Sequence, residues 1–384
     1  MTGDGPTVHF VPDYTDENPY QDLLADALRR DGVTVRVRES GGGPLPLLRG
    51  ALKPEIPDIV HVHFLHQFLT PADVKWSRLI GLVMALRTLF ELVVLRLLGV
   101  SIVWTAHDLL DHERRTVGIE RLTKHVFVRL LVSDVIVHCE AAKDLVVDCY
   151  RLPTRLTETM TVVPHGTFGG DYPDRVSKRT ARERLDLPGE TFVFAFFGTI
   201  KPYKNVTTLV ETFAKLDGGP HLLIAGNPET PALEREVTDA ASGLDRVRTT
   251  LEFVPDDDVQ LYMRAADVVV LPFRTDDRSV LTSGSVLLAM SFGRPVVAPD
   301  LGCISAYLGS GGFVYEPHAT AGLEAAMRSA MEADVSARGA CAARRAEALD
   351  WDSVATRTRA VYEHREPDST ETSLTRDYPR TTER

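Results

Sequence analysis

The sequence has few of the features that most directly declare a function. Its 384 residues include four cysteines, Cys139, Cys149, Cys303 and Cys341. They show neither CxxC spacing nor a paired metal-ligand pattern, so reduced thiols in a cytoplasmic compartment are expected. There is no GxxxxGK[ST] segment, and no GxGxxG turn follows the first strand-like run. Both absences argue against a nucleoside triphosphatase and a standard NAD enzyme. Positive charge is not in excess: 43 Lys and Arg face 54 Asp and Glu, a formal net of -11. That disfavours nucleic acid as the main ligand, while leaving room for a local basic pocket that holds one phosphate group. The opening MTGDGPTVHFVPDY has no basic region followed by an apolar one, so no secretory leader is expected.

A long uninterrupted apolar run is also missing. LIGLVMALRTLFELVVLRLLGV, Leu79 to Val100, is broken by Arg87, Glu91 and Arg96, and each would cost about 2.5 to 3.5 kcal/mol at the centre of a bilayer. A helix packed mostly against the core is expected instead. Residues 76–98, with Trp76, Phe90 and several Lys and Arg, also offer a peripheral contact with the inner face of a membrane.

What is present is ordinary globular usage, 44% hydrophobic and 25% charged, in a chain long enough for two domains. TVHFVP, VTVRVRE, DIVHVHF, SIVWTAHD, DVIVHCE and TMTVVPHG read as short strands separated by helices. The pattern restarts with TFVFAFFGT, HLLIAG, TTLEFVP, DVVVLPF and PVVAPD. Strands alternating with helices predict an α/β protein with largely parallel sheets. The expected division is a first domain over 1–170, a linker over 171–189, a second domain over 190–350, a returning helix over 351–363 and a mobile tail over 364–384. In open parallel sheets ligands sit beyond the carboxyl ends of the strands, so the loops there draw the functional candidates.

In FFGTIKPYKNVTTL, Lys204 lies between a buried strand and a helix start, where a cation and unpaired amides can hold a phosphate. Thr282, Ser283, Gly284 and Ser285 open a second apolar helix and can present hydroxyl and amide donors. SIVWTAHD ends on His107 and Asp108: the imidazole can bind a hydroxyl or move a proton, and the carboxylate can orient it. His61, His63 and His66 invite a zinc reading, but no cysteine or carboxylate completes a set, so no metal is expected. Gly226 and Val254 end two further strand-like segments, and His165 ends VVPHG.

The ordered set FFGTIKPYKNVTTLVETFAKL, LLIAGNP, YMRAADVVVLPF and LLAMSFGRPVVAPD resembles the nucleotide-sugar glycosyltransferases of the two-domain GT-B fold, particularly retaining family four. The resemblance covers most of residues 8 to 363. It implies two facing Rossmann-like domains with an interdomain cleft. It further implies a UDP- or GDP-sugar donor, a metal-independent transfer to an acceptor hydroxyl with no cofactor, and retention at the anomeric carbon. The acceptor class stays open among polyols, glycans, lipid-linked and small natural-product acceptors.

By that resemblance Lys204 contacts the donor diphosphate, and Thr199 stands where the family usually has an arginine. Gly226 and Val254 border the nucleobase, His107 contacts the transferred sugar and His165 lies near the donor. The family's paired glutamates fall at Val280 and Leu288, which cannot accept hydrogen bonds. The Thr282–Ser285 turn is expected to replace part of that function, with Asp276 or Asp277 supplying a carboxylate. A noncatalytic nucleotide- or carbohydrate-binding protein is the alternative reading.

Overall fold

The computed structural model describes residues 5–15, 18–39, 43–69, 78–110, 117–274 and 280–364. The chain divides into two compact units. Of the described residues, the first holds those up to Gly166, a short piece ending at Thr282 and those from Leu349 to His364. The second holds those from Thr167 to Arg274 and from Ser283 to Ala348.

The first unit is built on a six-stranded parallel sheet of order β2-β1-β3-β4-β5-β6. Its strands are β1 (Thr7–Val11), β2 (Thr34–Val37), β3 (Ile59–Val62), β4 (Ser101–Thr105), β5 (Asp134–Val137) and β6 (Met160–Val162). Strand order reverses between β1 and β3, which makes that crevice the natural ligand position on this sheet. Val8, Phe10, Tyr20, Leu24 and Leu28 join Val354, Val361 and Tyr362 in one core cluster. The helix Trp351–Tyr362 thus packs on the helix Tyr20–Arg30, and Arg30 pairs with Asp352 at 2.7 Å.

The second unit repeats the plan with order β12-β11-β10-β7-β8-β9. The strands are β7 (Val193–Phe197), β8 (His221–Ala225), β9 (Val247–Thr250), β10 (Val268–Val270), β11 (Val296–Pro299) and β12 (Gly312–Tyr315). This is the Rossmann strand order, and its reversal lies between β7 and β10. β7 and β10 are buried along their whole length, as their unbroken apolar sequences require. A buried ion-pair network clamps this unit below the sheet. Arg182 donates from Nη2 to Asp267 Oδ2 at 2.7 Å and from Nε to the Ala265 carbonyl at 3.1 Å. Asp267 Oδ2 also accepts the first amide of β7, Val193 N, at 2.7 Å.

Three sequence expectations change. Of TTLEFVP only Thr249 and Thr250 are strand, the end of β9 (VRTT), and the remainder is the turn after it. The short edge strand β12 carries two glycines' worth of weak propensity in GGFVY and gave no strand signal. Cys149 and Cys341 are free thiols, whereas Cys139 and Cys303 are disulfide-bonded. Spacing along the chain does not report which thiols a fold brings to bonding distance.

The helix Arg78–Leu97 departs from the burial expected of it. One face, with Ala85, Thr88, Glu91, Leu92 and Leu95, is buried. Glu91 accepts Leu48 N at 2.9 Å and pairs with Arg87 at 3.3 Å. The opposite face exposes Leu79, Leu82, Val83, Leu86, Phe90, Val93 and Leu97, the last at 81%. Among the described residues no helix is long and apolar enough to cross a membrane.

Candidate functional site

In the second unit the candidate residues follow the two strands that flank the order reversal. β7 ends in Gly198, whose φ of +123° suits a residue without a side chain. A Cβ there would lie 3.1 Å from both Lys204 Nζ and Ser285 Oγ. Three separate segments therefore converge on one point. Gly226, which follows β8, has φ +147°, and a Cβ on it would overlap the Gly198 carbonyl oxygen at 2.1 Å. The two strand-end turns can approach this closely only as glycines.

Lys204 closes a one-turn 3-10 helix, Pro202–Lys204, and Asn205 then turns left-handed at φ 56° to start the helix Val206–Phe213. This geometry sends the lysine side chain back over the end of β7, with Nζ 6.0 Å from the Phe196 ring centroid. Lys204 is only 8% exposed. Among the described residues no ion pair or side-chain hydrogen bond to its ammonium is found. Burial, reinforced by Lys201, pushes its pKa down to about 8. Lys201 itself pairs outward with Glu229 at 3.4 Å.

Beyond β10, Ser283 caps the helix Gly284–Ser291 by accepting Val286 N at 3.4 Å. Gly284 and Ser285 supply the first amides of that helix, which no carbonyl within the helix can reach. A buried ammonium, a hydroxyl and a helix start come together there, an arrangement whose chemistry suits an anion. Thr199 is exposed beside Gly198, and Val254 is buried in the turn after β9. Leu288 is buried one turn into the capped helix. Asp276 and Asp277 lie outside the described residues.

In the first unit, His107 and Asp108 follow β4, and Asp108 forms an isolated antiparallel bridge with Val280. His107 does not stand alone. Its Nε2 is 3.2 Å from His63 Nδ1 and its Nδ1 is 3.3 Å from His138 Nε2. His165 donates from Nδ1 to the Gly166 carbonyl at 2.6 Å. Tyr20 packs edge-on against both His107 and His165, with centroids 4.6 Å apart in each case.

Burial above all, then the neighbouring imidazoles, lowers His61 and His165 to about 3 and His63 and His107 well below 6.5. Burial also lowers His138, to about 4, against the Val163 carbonyl and Asp108, which favour its charge. Every member of the cluster is neutral at pH 7. His61 is held by Tyr362 and Thr105 hydroxyls, each at 2.7 Å, which leaves it no nitrogen for a metal. Among the described residues no group of three or more His, Cys, Asp or Glu is arranged for a metal ion.

His138 escaped the sequence reading. The missed signal is that β3, β4, β5 and β6 are each followed by a histidine within three residues.

Residues 191–333 match a family model described as Glycosyl transferases group 1. A GDP-mannose:glycolipid 4-beta-D-mannosyltransferase of Xanthomonas campestris pv. campestris is 29% identical over 290 residues, which cover 73% of this chain and 70% of that protein. A D-inositol 3-phosphate glycosyltransferase of Salinispora tropica is 33% identical over 166 residues, 39% of this chain and 33% of that one. Among solved structures, sucrose-phosphate synthase from Thermosynechococcus elongatus superposes with a TM-score of 0.71 at 16% identity, covering 94% of this chain and 98% of the other. Anabaena HepE in complex with UDP and glucose gives 0.66 at 18% identity, with 93% and 99% covered. The chain has the GT-B fold, and its residues 191–333 are similar to the group 1 glycosyltransferases.

Proposed function

We propose that the protein transfers a mannosyl-type sugar from a GDP-sugar to a hydroxyl of a lipid-linked acceptor, with inversion at the anomeric carbon. The observation that carries the donor half is Lys204, a buried ammonium with no anionic partner among the described residues, which points where Ser285 and a helix start also point. These groups would bind the diphosphate and stabilise the charge it gains as the sugar leaves. Thr199, Gly226 and Val254 border the same strand ends and would flank the nucleotide.

Choice of base and stereochemistry leans on the Xanthomonas relative, whose name gives GDP-mannose as donor and a β-mannoside as product. GDP-mannose carries its sugar α-linked, so a β product requires inversion. Inversion needs a base for the acceptor rather than a carboxylate beneath the sugar, consistent with apolar Val280 and Leu288. Retention, which resemblance to family four implies, is the competing outcome. NMR of the first-formed product decides between them: a β anomer from GDP-mannose is expected, and an α anomer would reject inversion. A donor panel including UDP-glucose tests the base, with turnover on GDP-mannose expected to be highest.

The lipid-linked acceptor is supported by the exposed apolar stripe from Leu79 to Leu97. Each side chain inserted into a membrane interface contributes about 1.5 to 3 kcal/mol. The full chain is therefore expected to sediment with phosphatidylglycerol vesicles. The double variant Leu86→Asp, Phe90→Asp should bind at least about a hundredfold more weakly. Equal sedimentation of the two proteins would remove this surface from the account.

A further inference from the structure

Four adjacent strands of the first sheet end in a buried histidine: His63 after β3, His107 after β4, His138 after β5 and His165 after β6. Three of these are joined, and the direction of the joining follows from its far end. The Val163 carbonyl can only accept, so His138 Nδ1 carries a hydrogen and donates to it at 3.0 Å. A neutral imidazole has one N–H, so His138 Nε2 accepts from His107 Nδ1. His107 Nε2 must then accept from His63 Nδ1.

That leaves a lone pair on His63 Nε2, which is buried and has no hydrogen-bond partner among the described residues. A buried acceptor left this way is costly to the fold, so a donor is expected to meet it. It lies at the β1/β3 reversal of strand order, where an open parallel sheet takes its ligand. With both nitrogens occupied in the chain, His107 has none left for a substrate; the open acceptor is His63.

We propose that His63, His107 and His138 form a proton conduit, with His63 Nε2 as the intake for an alcohol hydroxyl and His138 as the holder of the charge. The proposal rests on the reading of the protein as an inverting glycosyltransferase. As the acceptor oxygen bonds to the anomeric carbon, the bond from that carbon to the diphosphate breaks and its electron pair leaves with the nucleotide. The hydroxyl proton passes to His63 Nε2, the His63 Nδ1 hydrogen to His107 Nε2, and the His107 Nδ1 hydrogen to His138 Nε2. His138 becomes an imidazolium, still donating to Val163. The Asp108 charge favours that cation. Once product leaves, the proton returns to water by the reverse path.

The first test requires no turnover. Nitrogen-15 NMR of the full chain at pH 7 is expected to find His63, His107 and His138 neutral with hydrogen on Nδ1. Hydrogen on Nε2 of His107 or His138 would overturn the chain. Octyl β-glucoside, as a soluble alcohol probe, is expected to shift His63 Nε2; no shift at saturating probe would mean that water alone is the occupant, and would overturn the alcohol intake.

In turnover with GDP-mannose and octyl β-glucoside, His63→Gln should lower kcat by about a hundredfold with donor KM nearly unchanged. Added imidazole should restore much of the rate in His63→Gly. Wild-type turnover in His63→Gln overturns the conduit, as does absence of imidazole rescue in a His63→Gly variant whose circular dichroism and GDP affinity are normal. If wild-type protein transfers no sugar from any donor, the transferase reading fails and the conduit with it, even where the Nδ1 tautomers are found.

Discussion

Lys204→Met is expected to weaken GDP binding and turnover while making the ligand-free protein more stable. Losing a charge-assisted bond to a diphosphate costs about 1.5 to 3 kcal/mol, or roughly tenfold to a hundredfold in affinity. The opposite sign for stability follows from the ammonium's burial. Its pKa falls from an ordinary 10.5 to about 8, so between those values the unfolded chain binds more protons and stability rises with pH. Below about pH 8 the folded state bears the full penalty of a buried charge, about 3 kcal/mol for such a shift. Methionine keeps the flexible apolar stem and removes that charge, so a gain of about 1 to 3 kcal/mol is expected at pH 7 in thermal or urea unfolding. A variant that loses both stability and GDP affinity would mean that Lys204 serves the fold instead.

Asp267→Ala is expected to be the most damaging single change in the second unit. Asp267 neutralises the buried Arg182 guanidinium, bonds Lys178 at its other oxygen and caps the first amide of β7. Its removal leaves Arg182, only 3% exposed, as a buried cation without its carboxylate. Breaking a buried pair from one side costs about 3 to 5 kcal/mol, much of it the penalty on the partner left behind. The double variant Arg182→Met, Asp267→Leu removes both charges and should recover a large part of that loss. Urea unfolding of the three proteins checks this: equal stability of single and double variants would reject the clamp.

Much of the fold could be read from sequence because fully buried parallel strands have few alternatives. VFAFF, HLLIA and the valine run of β10 are apolar without interruption, and each sits between helical segments. VRTT and GFVY, at the two edges of the second sheet, carry weaker patterns and were shifted or missed. The apolar helix after β3 misled in another way. Its composition suggested burial all round, yet packing covers one face only, and hydrophobicity by itself does not say what lies opposite a side chain.

The candidate site divides along the same line. Lys204, Gly198 and the capped helix start are local features of a strand–turn–helix sequence, so their chemistry could be anticipated. That Lys204 would be buried with no anion beside it among the described residues could not. The histidine chain was harder still. His63, His107 and His138 are 44 and 31 positions apart, and only the parallel sheet sets their strand ends side by side. Read singly, His63 had no role once a metal was set aside, and His107 suggested an acid or base oriented by Asp108. Their hydrogen-bond roles are fixed collectively, by a carbonyl after β6.

Proton uptake on GDP binding tests the central claim that Lys204 holds the donor diphosphate. At pH 8 about half of the free lysine is uncharged, and a bound dianion would draw it back to the ammonium form. Calorimetric titration of the full chain with GDP in buffers of different ionisation enthalpy should give an uptake of about half a proton per GDP. It should give none in Lys204→Met at pH 8. Tight GDP binding at pH 8 with no uptake, or with the same uptake in the variant, would contradict the account.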